Sequence, residues 1–434
     1  MIDRAIVKIW GLTVGAVLWN NELQLASFEY DPKFVRRGYE LSPLKMPLQA
    51  GVIYNFPELR ATRKGMENTF NGLPGLLADI LPDRYGNRLI NTWLAQQGRS
   101  EDSMNPIEKL CFIGRRGMGA LEFEPSANQR IQSFDIVINS LIEVAADMLN
   151  QKEKFIANVQ EDELKAMQDI LAIGTSAGGA RAKAIIAYNE KTGEVKSGQT
   201  MAAPEGFEHY LIKLDGVDDA QFGTTKGYGR VEMAYYLMAT DCGIDMMPSR
   251  LLEENGRAHF MTRRFDRGNV GVKHHVQTLC AMQHYDFNEV GYYSYEQLFQ
   301  TMRLLRLPYP QAEQVFRRMV FNVIAKNCDD HTKNFAFLLK QGNEWEISPA
   351  YDICHAYRPG SDWVSKHALS LNGKREDITR DDCMVIAKSI NIKKPNLIID
   401  EINSVVQDWK IYSGKAGVSE ELAKGIEATL LNFV

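Results

Sequence analysis

The sequence predicts an α+β chain built as two lobes, and three observations carry that expectation. From 170 to 266 short apolar runs alternate with turn residues in the manner of strands, whereas beyond 285 apolar positions recur at helical spacing. Where the helical part opens, "NCDDHTKNFAFLL" (327 to 339) gathers two acids, a histidine, a lysine and an asparagine immediately before an apolar run. A chain of 434 residues also exceeds the roughly 250 to 300 at which one hydrophobic core stops growing, so at least two domains are expected.

Residues 5 to 30 alternate apolar and polar side chains around "WNNEL", where Asn20 and Asn21 suit the left-handed backbone of a tight turn, and read as an opening β-hairpin. In 71 to 98 two apolar sets at helical spacing are parted by Pro82, which breaks a helix, and Gly98 ends the second. "CFIGRRGMGALEFEP" (111 to 125) reads as a Gly-broken strand pair, and 133 to 171 as one or two amphipathic helices. Strands follow on either side of Lys191-Thr192-Gly193, then "HYLIKLDG" (209 to 216), a helix over 230 to 244, and two strands joined at Asn255-Gly256. Helices are expected over 294 to 306, 310 to 326, 379 to 391, 396 to 412 and 419 to 431.

A net charge of −5 leaves no basic field to hold the chain on nucleic acid or an anionic membrane, so contact with DNA would pass through a partner. The first residues carry Asp3, Arg4 and Lys8 among β-branched side chains, unlike a signal peptide, and nowhere do 18 apolar residues run together. The expected compartment is the cytoplasm. Six scattered cysteines form no C-x-x-C pair and read as reduced thiols, Cys328 and Cys354 included.

The acidic cluster is the first constellation able to do chemistry. Asp329 and Asn334 stand five apart, the offset between the base and the metal-binding amide of a protein-kinase catalytic loop; Asp330 is one residue too close. Asp352, in "SPAYDICHAY", follows a strand-like "EWEI" and is placed to give a second metal carboxylate. His331 would orient the loop or touch phosphate. Turn and cap duties are the competing account of these acids. The second constellation is "GTSAGGARAKAII" (174 to 186), where Gly178 and Gly179 would let backbone N–H groups face an anion. It matches neither the P-loop nor the Rossmann pattern, and a Gly-rich hairpin turn explains it as well; Lys183 beyond it is a phosphate ligand or an exposed strand residue. Third, Lys213 lies inside an apolar strand, where burial requires a partner; Glu232, at the start of the next helix, is the candidate, and an edge lysine in water is the alternative. "RRFDR" (263 to 267) joins the strand region to the helical one as a hinge, with Phe265 near an adenine and Asp266 near a ribose.

The order of these parts is that of a phosphotransferase, and with "FNGLPGLLADILPDRYGNRLI", "TSAGGARAKA", "LIKL", "RRFDR", "DDHTKNF" and "YDI" the chain resembles, nearly end to end, the HipA family of serine/threonine kinase toxins. That resemblance implies a bilobal protein-kinase-like α+β fold: a HipA-type N-terminal subdomain (1–128), an α/β N-lobe (129–267) and an all-helical C-lobe (268–434). It implies ATP and Mg²⁺ as cofactors and γ-phosphoryl transfer to a protein hydroxyl. The base falls on Asp329, the metal on Asn334 and Asp352, and nucleotide contacts on Ser176, Ala177, Gly178, Gly179, Lys213, Phe265, Asp266 and His331. Ser176, seven before Lys183, matches the family's autophosphorylated serine, with Thr175 beside it; a phosphate there would repel ATP and switch the enzyme off. Arg263 departs from the acidic residue familiar at the hinge. The implied partners are a HipB-like helix-turn-helix antitoxin, through which operator DNA would be met, and a protein substrate such as an aminoacyl-tRNA synthetase, with no membrane contact. Two other classes stay open: a small-molecule phosphotransferase of the same architecture, and a non-catalytic ATP-binding partner of an antitoxin.

Overall fold

The computed structural model describes residues 2–60, 68–100, 103–126, 135–150, 170–171, 173–174, 181–198, 202–217, 226–268, 271–342 and 344–433. The N-terminal region is an antiparallel sheet of β1 (Arg4–Ile9), β2 (Leu12–Asn20), β3 (Leu25–Tyr30), β4 (Ile53–Tyr54) and β5 (Glu122–Glu124), ordered β4-β3-β2-β1-β5. The expected hairpin is therefore part of a meander: Trp10 (φ 50°) and Gly11 (φ 75°) make an additional two-residue turn. The turn after β2 is built differently from expectation. Asn20 Oδ1 accepts the N–H groups of Glu22 and Leu23 (both 2.9 Å), and the left-handed residue is Gln24 (φ 49°), neither asparagine taking that role.

Three of this region's helices are α1 (Pro32–Val35), α2 (Gly75–Ala78) and α3 (Arg84–Gln96), the last capped by Asp83 onto the Gly86 N–H at 3.1 Å, with Pro82 parting α2 from α3 as the spacing required. The fourth, α4 (Pro106–Ile113), overturns the strand expected at "CFI". Asn105 accepts the Glu108 N–H at 2.8 Å and Pro106 sits in the first turn, so a helix begins there and consumes the apolar run.

A second sheet, β6 (Lys183–Tyr188), β7 (Val195–Ser197), β8 (Glu208–Lys213), β9 (Ser249–Glu254) and β10 (Arg257–Arg263), runs β7-β6-β8-β10-β9 beneath α5 (Ile138–Asn150), with α6 (Tyr228–Asp241) against β9 and β10. The rest is mostly helical: α7 (Leu279–Gln283), α8 (Tyr295–Leu304), α9 (Tyr309–Ile324), α10 (Arg380–Ser389), α11 (Pro395–Gln407), α12 (Trp409–Ala416) and α13 (Glu420–Glu427). This lobe also holds a three-stranded sheet, β11 (His275–Thr278), β12 (Ala336–Leu339) and β13 (Trp345–Ile347), so it is helical in the main and not throughout. The helix expected over 396 to 412 is two helices parted at Asp408.

Tyr85, Leu89, Ile138, Ile142, Ile186 and Ile212 belong to one core, that of the second sheet. The first sheet instead shares a continuous core with the helical lobe, Phe28 and Phe123 joining Phe316 and Ile399. Buried apolar area drives that docking, and polar clamps set its register. Trp345 Nε1 donates to the Glu40 carbonyl (3.0 Å), Trp10 Nε1 to that of Lys273 (2.8 Å), and the Thr278 N–H and hydroxyl both donate to Asp79. The N-terminal region thus touches both lobes, the sheeted one through α3 and the helical one through α2 and the first sheet. Among the described residues no helix is long and apolar enough to cross a membrane.

Gly75 reports on this docking, because a Cβ there would lie 2.2 Å from the Ala281 carbonyl oxygen. Gly75→Ala should cost about 1 to 3 kcal/mol by overpacking. Gly414→Ala in α12, where a Cβ meets nothing within 4 Å, should be neutral or gain up to ~1 kcal/mol. Thermal melting of the two variants checks this; equal melting points would show that the N-terminal region does not seat on α7 as described.

Candidate active site

Lys213 ends β8, and its ammonium contacts two carboxylates at once: Glu232 Oε1 at 2.5 Å and Asp352 Oδ1. Local structure explains why Glu232 is there. Asp215, just past the strand, accepts the Gly227 N–H (3.0 Å) that opens α6 and the Ala258 N–H (3.1 Å) of β10, pinning the helix start to the sheet. Gly229 lets the helix come close, since a Cβ there would meet the Ala258 carbonyl oxygen at 2.0 Å. Glu232, one turn on, then points at the strand. Burial alone would lower the Lys213 pKa, but Asp352 and Glu232 raise it, so the ammonium stays charged. Burial pushes the Asp352 carboxyl up, yet Lys213 and Lys183 together hold it well below the usual carboxylate range. Lys213 is therefore a paired interior lysine and not an edge residue in water.

Lys183 stands directly opposite Lys213 in the β6–β8 register and is buried, which excludes the exposed-strand reading. Burial lowers its pKa, against the pull of Asp352 and Asp83. Asp83, from the N-terminal region, is thereby drawn into the same field: burial lifts its carboxyl to about 6 although Lys183 and Lys333 oppose the rise. No spacing rule could have shown that residues 83, 183, 213 and 352 share one neighbourhood, because sheet register and domain docking bring them together.

The catalytic-type loop leaves α9 through Lys326 (φ 54°) and is stitched to the chain beyond Asp352, the Cys328 N–H donating to the Ala356 carbonyl at 3.0 Å. The structure separates the two adjacent acids. Asp330 is buried and fully engaged, its oxygens accepting from the Tyr295 hydroxyl (2.7 Å), His367 Nδ1 (2.9 Å) and the Ala368 N–H (2.7 Å). Asp329 is half-exposed, with His331 Nε2 3.8 Å away, and burial with the nearby Asp352 and Asp330 raises its carboxyl against the pull of His331. Asn334 donates Nδ2 to the Asp329 carbonyl (2.7 Å), which leaves its amide oxygen as an acceptor. His331 caps the short helix Thr332–Asn334, its Nδ1 accepting the Lys333 N–H at 3.2 Å. Tyr351 donates its hydroxyl to the Lys333 carbonyl (2.6 Å) and so ties Asp352, which sits in left-handed backbone (φ 52°), to the loop.

At the hinge one expectation fails. Asp266 does not face a ribose: it is completely buried, bridging Arg264 and Arg267 (both 2.6 Å) and accepting the Gly119 N–H of the N-terminal region at 2.7 Å. Its polarity serves a structural ion network that the sequence, lacking any hint of the 119–266 contact, could not distinguish from a ligand contact. Phe265 packs its ring 5.7 Å from that of Tyr351, linking the hinge to the metal-type aspartate. Ser176, with Thr175, Ala177, Gly178 and Gly179, lies outside the described residues. Arg181, at the end of that stretch, stacks over Tyr228 at 4.7 Å. Among the described residues no three His, Cys, Asp or Glu side chains gather as a metal cage.

Residues 5–124 match the model of the HipA N-terminal domain, and residues 175–409 that of the HipA-like C-terminal domain. HipA in a Shewanella oneidensis MR-1 complex of HipA, HipB and operator DNA superposes with a TM-score of 0.68 at 16% identity, over 98% of this chain and 94% of that one. The Helicobacter pylori proinflammatory kinase CtkA overlaps 51% of this chain and 88% of its own length at 14% identity, with a TM-score of 0.33. No curated protein matches.

The Asp330–His367 pair carries a pH signature. Burial alone would lower the His367 pKa, but Asp330 raises it to about 10, so its contribution is complete below the unfolded value of about 6.5 and lost as pH rises toward 10. His367→Gln should cost on the order of 3 kcal/mol at pH 6 and distinctly less at pH 9.5. Urea unfolding at the two pH values reads the difference; a constant gap would mean the imidazole is neutral when folded.

Proposed function

The chain belongs to the HipA family, and we propose that it is an ATP- and Mg²⁺-dependent serine/threonine protein kinase that serves as the toxin of a toxin–antitoxin pair. The observation that carries this reading is the division of labour at 329–330. One acid is consumed in the core, and its neighbour is held half-exposed beside His331 with no side-chain hydrogen bond among the described residues, as suits a base that must accept the proton of an attacking hydroxyl. The fold is bilobal, with Lys213 and Glu232 contributed by the sheet and its helix, and Asp329, Asn334 and Asp352 by the helical lobe.

In this mechanism Asp329 receives the acceptor proton, and Lys213, oriented by Glu232, grips the nucleotide phosphates. The donor set fits Mg²⁺: an ionised Asp352 and the spare amide oxygen of Asn334 offer two oxygen ligands, leaving the remainder to phosphate and water. Bound there, the ion would neutralise charge building on the transferred group. His331 fixes the loop, and Phe265 belongs to the nucleotide-side wall, whereas Asp266 is assigned to the interior. Phosphorylation of Ser176 would shut the enzyme off by charge repulsion. The partner would be a HipB-like antitoxin, since HipA of the Shewanella complex is joined to HipB and operator DNA, and the acidic net charge of −5 leaves DNA to that partner. A protein hydroxyl, for instance on an aminoacyl-tRNA synthetase, would be the acceptor, and the working compartment the cytoplasm.

Labelled ATP added to the protein and a cell extract, followed by phosphosite mapping, tests the proposal; label on small molecules alone would replace it with a small-molecule phosphotransferase. Asp329→Asn should lower transfer about 10² to 10⁴-fold with ATP affinity unchanged. Asp352→Ala should weaken Mg²⁺-dependent nucleotide binding, measured by calorimetry. Wild-type turnover in the first variant, or wild-type affinity in the second, would overturn the residue's role.

A further inference from the structure

Asp330 presents a physical problem that its neighbour does not. A carboxylate exposed by only 1% must be paid for in desolvation, and a well-packed apolar side chain would usually serve stability as well. Its three partners come from two places: Tyr295 from the first turn of α8, and His367 with the Ala368 N–H from the segment beyond Asp352. The network continues inward, Asn322 Nδ2 donating to the Tyr295 oxygen at 3.1 Å and Asn327 Nδ2 to Asn322 Oδ1 at 3.0 Å, so the loop is gripped from beneath at Asn327 as well as at Asp330. On the outer side Asn334 holds the Asp329 carbonyl.

We infer that Asp330, with His367 and Tyr295, is a positioning device that aims the Asp329 carboxylate at the acceptor hydroxyl. Anchoring one residue's side chain inward fixes the peptide plane it shares with the preceding residue, and hence the direction in which Asp329 leaves the backbone. Among the described residues the Asp329 side chain has no restraint of comparable strength, its ion partner there being His331 at 3.8 Å. Because His367 and Ala368 lie 15 and 16 residues beyond Asp352, the same anchor joins the base to the segment that follows the metal-type carboxylate. An error of about 1 Å in such a group is enough to lower a rate about 100-fold without touching substrate affinity.

This inference rests on the kinase reading, and the test separates the two. Asp330→Asn, Tyr295→Phe and the double variant are assayed for kcat, for the KM of ATP and for nucleotide affinity, beside Asp329→Asn. The expected result is a kcat about 10- to 100-fold lower in Asp330→Asn and about 3-fold lower in Tyr295→Phe. ATP affinity should stay within about 2-fold of wild type in both, and the double variant should be no slower than Asp330→Asn alone. Tyr295→Phe removes one hydroxyl and keeps the ring, so it reports even if Asp330→Asn does not fold. A kcat near wild type in Tyr295→Phe and in any folded Asp330→Asn, or loss of ATP affinity in step with kcat, overturns the positioning role while Asp329→Asn still confirms the base. Turnover that survives Asp329→Asn overturns the kinase assignment of the base, and this inference with it.

Discussion

One ammonium group organises this molecule. Lys213 stands at the end of a central strand and is shared by a helix carboxylate, Glu232, and by Asp352 from the opposite lobe. Burial works against all three charges: the two carboxylates together keep the lysine charged, and the lysine pulls both carboxyls down against burial, while the acids themselves repel one another. The contact is therefore a constraint on geometry: strand, helix and the 350–353 turn must be in place together for any of the three charges to be tolerated.

Around that constraint the structure spends its interactions on holding backbone in place. Asp215 pins the start of α6 to β10, Tyr351 ties the metal-type turn to the loop carbonyl of Lys333, and Tyr235 donates its hydroxyl to the Ala325 carbonyl at 2.6 Å where the loop departs. These bonds reach across elements far apart in sequence, and their effect is to present a few oxygen and nitrogen atoms in fixed directions from rigid supports. The N-terminal region takes part in the same scheme. It shares its core with the helical lobe, sends Asp79 to Thr278 and Asp83 toward Lys183, and supplies the Gly119 N–H that completes the Asp266 network.

The pattern of success in reading the chain follows from which forces are local. Turns with a glycine at the left-handed position, such as Asn255-Gly256, and helices with a continuous apolar stripe, such as Tyr309–Ile324, were legible because both depend on a few consecutive residues. The stretch at 111 to 113 was misread because its outcome hung on a cap at Asn105 and a proline at 106, upstream of the apolar run itself. Of two similar acids in one loop, spacing singled out Asp329, and only the fold shows that Asp330 is the one whose oxygens are taken up by the core.

What the amino-acid order by itself determined is the set of chemical groups and their spacing along the chain: a lysine in a strand, a glutamate in the next helix, an acid and an amide five apart, and an aspartate beyond. Those are properties of short segments, and short-range sterics and periodicity are enough to express them. Tertiary structure alone decided which of these polar groups are brought together and which are consumed in the interior, sending Asp266 to two arginines and bringing Lys183 beside Lys213. The reason is that burial and charge pairing depend on distances between residues tens to hundreds of positions apart, which sheet register and lobe docking set and no local pattern encodes.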